Sequence, residues 1–472
     1  MSNIDLLVSS LNSKFANPQA TSQQEIKESI HKLTINVQTI DYYASGSVTV
    51  VTKLLGNIKA LILSGNQLDS YSFSDDEIFA LLAGLIKVCD FETVVSKVFS
   101  QQDVLDALMS DVVLLMRIAC SVLVKSYGTY LDPAIYAQLS TAYFSADADI
   151  GVLTEIEATY SALRNAFAPR MLEETLPEIK SFPDLWKQDT SFSRLIALFE
   201  IFFDYNTVPV KTNLFFDWSL HDLYCGNIIN FMQYSKFVLN VLKIIRSTFP
   251  YHPNSFEAMK DLLFQYGKLY SKMDEEYSLV RNFAETELYK IFEQISFIDQ
   301  NFMSELDSKY IHVGETLTRD LQFYAFLDPK YLMEYQKDTI QGRLELTPKY
   351  LAVVRNLIST QPTFDFFIKD RLLGNIQMPY LEQLVLIEKL SQYEYSSRFL
   401  LEHCARLSSN LIDNKDITDL EAKELKQQCL SNFLRYSDEV LTIWKVPLMN
   451  ALKLLRGNII SEAQPIIEEI AL

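Results

Sequence analysis

Glycine is unusually scarce in this chain. Only 12 of its 472 residues are glycine. This is about 2.5%, where about 7% is usual for proteins. Glycine provides the left-handed turns of β-hairpins and the backbone clearance that a phosphate-binding loop requires. The composition therefore favours long helices joined by short connections over a many-turned β fold or a nucleotide-binding loop, and it indicates a binding scaffold rather than an enzyme.

Helical periodicity recurs along the whole sequence. Apolar residues stand at positions i, i+3, i+4 and i+7, the spacing of one helix face, in Phe192–Phe203, Ile78–Leu85 and Met259–Tyr266. Only Ser47–Val51 (SVTVV) has the pattern of a strand, and no Asn-Gly or Asp-Gly hairpin dipeptide occurs. The sequence therefore predicts an all-α fold.

Helix start signals precede many of these patterns. A hydroxyl and a carboxylate at capping-box spacing satisfy the free amides of a first helical turn, and a capping residue before proline also marks a helix start. The predicted starts are Ser22 with Glu25, Ser74 with Glu77, Thr418 with Glu421, Asp132-Pro133, Asp328-Pro329 and Thr347-Pro348. The predicted breaks are Asn17–Ser22, Ser145–Gly151, Phe249–Ser255 and Asp413–Thr418.

The length favours a repeated arrangement of helix pairs. A single hydrophobic core stops growing at about 250–300 residues, whereas stacked pairs bury their faces only against their neighbours. HEAT and armadillo repeats span about 40–47 residues, so the chain would hold about eleven. Residues 111–120 and 348–357 have the pattern of an inner helix, with an arginine beside apolar positions. We predict one HEAT-like solenoid over residues 1–472 with a hinge near 249–255; a plain helix corner there, and a helical array without true repeats, are the alternatives.

The charge balance restricts the partners. Lysine and arginine number 42 against 60 aspartates and glutamates, a net charge of −18. Because duplex binding depends on neutralising phosphates with basic side chains, direct nucleic-acid binding is disfavoured. An acidic surface attracts basic partners. The alternative is that the negative charge only keeps the protein soluble.

The cysteine pattern and the lack of targeting segments predict a cytoplasmic protein, and the nucleus is the second compartment that they allow. The five cysteines are scattered and form no C-x-x-C pair, which is typical of reduced thiols. The first residues lack a basic segment followed by an apolar block, the pattern of a secretory signal. The longest apolar stretches fall short of the roughly 18 residues that a membrane span needs. We therefore expect no membrane association.

Catalytic and metal-binding patterns are weak. No P-loop, dinucleotide-binding, nucleophile-elbow or H-E-x-x-H motif occurs,. His221 and Cys225 lie four residues apart on one helical face, and Asp222 could add an oxygen ligand, but two ligands do not make a metal site. His403 and Cys404 are adjacent and point in different directions on a helix. We expect no enzyme activity, no catalytic or cofactor-binding residue and no metal.

Aromatic residues beside charges are the better candidates for a binding surface. The chain has 25 tyrosines and 30 phenylalanines. Tyrosine and arginine are enriched at interface hot spots, and the two clusters that combine them with charges lie at 331–337 and 393–398. Packing within the core is the alternative role for each of these side chains.

Three segments resemble a known family. They are Met378–Leu401 (MPYLEQLVLIEKLSQYEYSSRFLL), Asp328–Ile340 (DPKYLMEYQKDTI) and Cys89–Ser126. Together they resemble the fungal HEAT-repeat chaperone of proteasome regulatory-particle assembly. The resemblance implies a curved α-α superhelix whose concave side binds the C-terminal small domain of one proteasomal ATPase, helps it to join the base subcomplex and leaves before the 26S proteasome matures. Members of the family also carry a mismatch-repair label, but these residues give no support to direct work on DNA.

The expected contact residues come from chemistry within the matching segments. They are Tyr331, Tyr335, Tyr393, Glu394 and Arg398. The expected partners are the ATPase C-terminal domain and neighbouring base subunits, and the chain is expected to be a monomer when free. The alternative function is an acidic HEAT-type scaffold or transport adaptor for another protein.

Overall fold

The computed structural model describes residues 3–16, 22–43, 48–64, 74–203, 212–248, 253–315, 317–374, 376, 378–413 and 419–462. These residues form helices and connections with no β-strand among them. The predicted all-α fold is therefore confirmed. None of the helices in this described part combines the length and apolar character needed to cross a bilayer.

The chain forms two compact units, Met1–Phe237 and Val238–Leu472. The helices of the first unit are α1 (Asn3–Ala16), α2 (Gln23–Gln38), α3 (Val48–Leu63), α4 (Asp75–Val88), α5 (Ser96–Val98), α6 (Gln101–Leu108), α7 (Val113–Lys125), α8 (Pro133–Phe144), α9 (Ile150–Ala162), α10 (Arg164–Arg170), α11 (Leu176–Lys180), α12 (Asp189–Phe202), α13 (Thr212–Phe216) and α14 (Leu220–Gly226). Helix α15 (Ile228–Thr248) begins in this unit and ends in the second.

The remaining helices belong to the second unit. They are α16 (Pro253–Glu257), α17 (Lys260–Ser271), α18 (Ser278–Phe283), α19 (Glu285–Ile298), α20 (Gln300–Leu306), α21 (Leu317–Phe326), α22 (Pro329–Tyr335), α23 (Lys337–Arg343), α24 (Leu351–Leu357), α25 (Gln361–Thr363), α26 (Lys369–Leu372), α27 (Tyr380–Ser391), α28 (Glu394–His403), α29 (Ala405–Ile412), α30 (Leu420–Phe433), α31 (Asp438–Leu441) and α32 (Lys445–Glu462).

Each unit stacks its helices in two layers. In the first unit, the first layer consists of α2, α4, α7, α9 and α12, and each of these helices contacts the next. The other layer contains α1, which contacts α3, and α6, which contacts α8. In the second unit, the first layer runs α19, α21, α24, α27, α30 and α32, and α22 contacts α25 while α28 contacts α31. This regular pairing along the sequence is that of an α-helical repeat solenoid.

The two predicted inner helices lie in these first layers. Residues 111–120 run into α7, and Arg117 of α7 reaches back to α4, with its guanidinium 4.0 Å from the Phe79 ring and 2.6 Å from the Asp76 carboxylate. Residues 348–357 contain α24, from which Arg355 lies 3.6 Å from Glu388 of α27. In both helices the arginine therefore connects one repeat to its neighbour.

Most predicted helix starts that fall on described residues are confirmed. Ser74 and Glu77 form the complete capping box. The Ser22 hydroxyl accepts from the Glu25 amide, and Asp132 and Asp328 cap helices that begin with proline. Thr347 precedes a short 3₁₀ turn at Pro348–Tyr350 without a side-chain cap bond. Thr418 lies outside the described residues, and α30 is instead capped by Asp419, whose carboxylate accepts from the Glu421 amide.

The strand-like pattern at Ser47–Val51 misleads. Residues from Val48 onward form the first turn of α3, while Ser47 lies outside the described residues. The buried residues Val51, Leu54, Leu55, Ile58 and Ile62 repeat with the helical period. Because burial of that stripe outweighs the weak preference of β-branched residues for strands, the segment is helical.

The predicted connections are only partly described. Helix α8 ends at Phe144 and α9 begins at Ile150, so the break predicted at Ser145–Gly151 is confirmed, although its last two residues already belong to α9. Residues 17–21, 249–252 and 414–418 lie outside the described part, whereas residues 253–255 of the third predicted break are helical in α16. The hinge near 249–255 and the single solenoid over 1–472 stay predictions.

Candidate partner-binding surface

Both aromatic clusters lie in the second unit, on helices outside its first layer. Tyr331 and Tyr335 are four residues apart on α22, which is why their side chains lie on one face. Their rings stack with centroids 5.0 Å apart and an interplanar angle of 26°. The Asp328 carboxylate caps this helix, since it accepts a hydrogen bond of 2.9 Å from the Lys330 backbone N–H. This cap fixes the start of the helix that carries the two tyrosines.

Tyr331 lies in the interior. Its side chain is 0% exposed and its hydroxyl donates to Asp307 Oδ2 at 2.7 Å. Asp307 also accepts from the Gln336 amide at 3.0 Å and from the Val313 backbone N–H at 2.7 Å. Burial raises the pKa of the Tyr331 hydroxyl, and the negative charge of Asp307 adds to this effect. A partner cannot reach Tyr331 in this fold, so its place is beneath Tyr335 as a support.

Tyr335 presents the accessible ring of this pair. Its side chain is 37% exposed, and its hydroxyl donates to Asn301 Oδ1 at 3.1 Å. One side of the ring is covered by Tyr331. Tyr335 is therefore held in place before any partner arrives, which lowers the entropy cost of using it in an interface.

Tyr393 stands at the N-cap position of α28. Its ring stacks on Tyr395 with centroids 5.5 Å apart and an angle of 19°, and its hydroxyl lies 3.0 Å from Lys389 Nζ. Burial raises the pKa of Tyr393, but hydrogen bonds with Lys389 and Ser359 outweigh it and hold the pKa below its usual value. The half-buried Tyr393 hydroxyl is thus a polarised group at the end of a helix.

Glu394 and Arg398 form an exposed ion pair one turn apart on α28. Arg398 Nη2 lies 3.1 Å from Glu394 Oε1, and the two side chains are 47% and 59% exposed. Exposed ion pairs of this type contribute little to stability. The guanidinium can therefore exchange Glu394 for a carboxylate of a partner at small cost.

A π-helical turn at Phe364–Ile368 connects the two clusters. Helix α22 contacts α25, which leads into this turn. Phe364 packs against Tyr395 and Phe399 of α28, with centroids 5.5 and 5.8 Å apart. The structure therefore brings Tyr331 to Tyr335 and Tyr393 to Tyr395, and the apolar turn packs against the second pair through Phe364.

Several residues of this surface are not found by sequence reasoning. Asp307, Asn301 and Lys389 contact the predicted tyrosines from other turns and helices. Lys389 is four residues before Tyr393, so helical spacing could have suggested it. Asp307 precedes Tyr331 by 24 residues, and nothing in the local pattern connects the two.

The weaker chemical candidates are placed as follows. Cys225 Sγ lies 3.6 Å from His221 Nε2, on one face of α14 as the spacing predicts. No group of three or more histidine, cysteine, aspartate or glutamate side chains able to hold a metal occurs among the described residues. His403 packs on the Phe399 ring, whereas the buried Cys404 thiol donates to the Leu372 carbonyl. Adjacent His403 and Cys404 thus face different surroundings.

Two family models match the chain almost from end to end. The model described as DNA mismatch repair protein HSM3, N terminal domain, matches residues 5–243, and the model of the C terminal domain matches residues 255–471. The second match contains all five predicted contact residues.

Curated relatives agree with this assignment. Proteins named DNA mismatch repair protein HSM3 are 25% identical over 432 residues in Candida glabrata, 28% over 421 residues in Eremothecium gossypii and 25% over 441 residues in Saccharomyces cerevisiae. These alignments cover 89%, 84% and 90% of this chain and 89%, 85% and 90% of the relatives. The chain belongs to the HSM3 family.

Proposed function

We propose that this chain is a non-enzymatic assembly chaperone for the base of the 26S proteasome regulatory particle. It binds the C-terminal small domain of one proteasomal ATPase and leaves before the particle matures. The observation that carries the proposal is that Tyr335, Tyr393, Glu394 and Arg398 are exposed or half-buried in the second unit, and we propose that together they form the binding surface. These residues lie within the segments that resemble the assembly chaperone, 328–340 and 378–401.

The chemistry of the surface suits protein recognition. Tyr335 and Tyr393 are each backed by a stacked tyrosine. Rigid aromatic side chains bury large apolar area with little loss of conformational freedom, and arginine adds a directional charged contact. Occupation of an ATPase small domain would block premature docking by bulk alone, so the role requires no hydrolysis.

The relatives are named DNA mismatch repair proteins, which suggests DNA as a second class of partner. Direct contact with a DNA duplex requires clustered lysine and arginine, and this chain has a net charge of −18. We therefore infer that a mismatch-repair effect acts through protein partners.

The decisive experiment is a pull-down with the full chain immobilised. Purified C-terminal domains of each proteasomal ATPase subunit are offered one at a time, and a mismatched DNA duplex is offered in parallel at physiological salt. We expect retention of one ATPase domain and none of the duplex. Retention of no ATPase domain would overturn the proposal. A cargo held only at low salt would favour the acidic adaptor.

Variants locate the surface. Tyr335→Ala and Tyr393→Ala should each weaken binding by about tenfold or more, as truncation of a hot-spot tyrosine does. The matched control is Tyr42→Ala, since Tyr42 is also exposed but belongs to the first unit. Arg398→Glu is compared with Lys53→Glu, a charge reversal at an exposed position of α3. Equal losses of binding in the variants and the controls would show that the partner contacts another part of the chain.

A further inference from the structure

An apolar groove opens in the first unit between α3, α6 and α7. Its volume is about 210 Å³. Its apolar lining comes from Leu63, Phe99, Val104, Leu115, Ile118 and Val122. A cavity of about 150 Å³ with a similar lining binds benzene. The groove therefore has room for one large apolar side chain.

Lys59 closes one side of the groove and is fully engaged. Its Nζ lies 2.6 Å from Asp103 Oδ1, donates to the Val98 carbonyl at 2.8 Å and sits 5.5 Å from the centre of the Phe99 ring. The Lys59–Asp103 pair is thus neutral as a unit. It does not select the charge of an incoming group.

Asp106 gives the groove its charge preference. It lies on the exposed side of α6 and lines the groove. Its carboxylate accepts from the side-chain amide of Gln102 at 2.7 Å, a neutral donor that leaves the negative charge in place. The unit around it adds to this field, because residues 1–237 carry 27 acidic and 16 basic side chains, a net charge of −11.

An exposed apolar side chain forms part of the rim of the groove. Leu63 lines the groove and is 63% exposed. A groove with an apolar floor, an apolar rim and one uncompensated carboxylate is complementary to an amphipathic helix. Such a helix offers a bulky apolar residue with a lysine or arginine one turn away.

We propose that this groove is a second docking site, which binds a basic amphipathic helix of a partner protein. The apolar side chain of that helix enters between Val104 and Ile118, and its basic residue pairs with Asp106. The site lies in the first unit, whereas the surface proposed for the ATPase domain lies in the second. Either proposal can therefore fail without the other.

The test uses the full chain with methyl-labelled isoleucine, leucine and valine. The probe is an acetylated twelve-residue alanine-based helical peptide with one leucine and a lysine four residues later. We expect it to shift the methyl resonances of Leu115, Ile118 and Val122. Changing the peptide leucine to serine should weaken binding by about tenfold or more, and changing its lysine to glutamate by about threefold or more.

Two variants of the chain complete the test. Ala107→Leu fills the groove from α6 and should abolish the shifts, and Asp106→Lys should weaken binding of the lysine peptide while improving binding of the glutamate peptide. The matched control is Asp147→Lys, since Asp147 is an exposed aspartate of the same unit that does not line the groove. Thermal unfolding monitored by circular dichroism checks that each variant is folded.

Four outcomes would overturn the proposal. The peptide could shift no methyl group of the groove, or bind equally well when its lysine becomes glutamate. Sedimentation could instead show dimers that Ala107→Leu dissolves, which would assign the groove to a second copy of the chain. In a further variant, a glycine-serine linker between Ser64 and Ser74 replaces residues 65–73. If this variant binds the peptide and the natural chain does not, the groove would be assigned to that segment of the chain itself.

Discussion

The hydroxyl of Tyr331 donates a hydrogen bond of 2.7 Å to the carboxylate of Asp307 in the interior of the second unit. The same carboxylate receives the Gln336 amide and the Val313 backbone N–H. Asp307 thereby connects α22 to the turn before α21. The accessible ring of Tyr335 rests on this arrangement, because it stacks on Tyr331.

Tyr331→Phe should lower the free energy of unfolding. The change keeps the ring but removes one of three donors from a buried carboxylate, which costs about 1–3 kcal/mol. Tyr335→Phe is the matched control, since it removes only a partly exposed hydrogen bond to Asn301 and should cost less than about 0.5 kcal/mol. Urea unfolding of the two variants measures the difference. Equal destabilisation would contradict the role given to Asp307.

Arg117 should stabilise the first unit mainly by packing. Its side chain is 15% exposed and covers the Phe79 ring, whereas its ion partner Asp76 is 82% exposed. Arg117→Ala should therefore cost about 1–2 kcal/mol through lost stem packing and cation–π contact, while Asp76→Ala should cost less than about 0.5 kcal/mol. Thermal unfolding of both variants tests the ranking, and a larger loss for Asp76→Ala would reverse it.

The buried Lys426 should make the unfolding free energy depend on pH in an unusual way. Its side chain is fully buried in α30, and its Nζ donates to the backbone carbonyls of Asn410 and Asp413. Burial lowers the pKa of the Lys426 ammonium from 10.5 to about 8. Below pH 8 the folded chain carries the full cost of a buried charge. Above pH 10.5 neither the folded nor the unfolded state is charged, so that cost is gone.

The sign of this effect can be measured against a variant without the charge. The unfolding free energy of the natural chain, minus that of Lys426→Met, should increase by about 3 kcal/mol between pH 7 and pH 10.5. Lys53→Met on the exposed face of α3 is the control and should show no such rise. Parallel pH profiles for the natural chain and Lys426→Met would refute the burial of the charge.

Thiol reactivity should single out Cys225. It is the exposed cysteine, while Cys89, Cys120, Cys404 and Cys429 are buried. Burial raises the pKa of the Cys89 and Cys120 thiols to about 12, and the thiolate is the reactive form. Titration of the folded chain with dithiobis-nitrobenzoate should release one fast equivalent, which Cys225→Ser removes. Any fast thiol that remains in that variant would contradict the described packing.

Local physical chemistry explains why much of the fold follows from sequence. Ser74 and Glu77 satisfy each other's backbone amides wherever the chain is placed, so their spacing alone marks the start of α4,. The period of the apolar residues likewise identifies helices such as α12. Arg117 and Arg355 stand beside apolar positions in both predicted inner helices, and both reach a neighbouring helix.

Tertiary packing decided what local patterns could not. Val48–Val51 is helical because its stripe is buried against other helices, a gain that outweighs local preference,. Tyr331 and Tyr335 look equivalent in sequence, yet one is buried and the other exposed, since only the fold brings Asp307 under α22. The sequence by itself determined the helical class and the family. Which aromatic side chains a partner can reach was decided by contacts between residues distant along the chain.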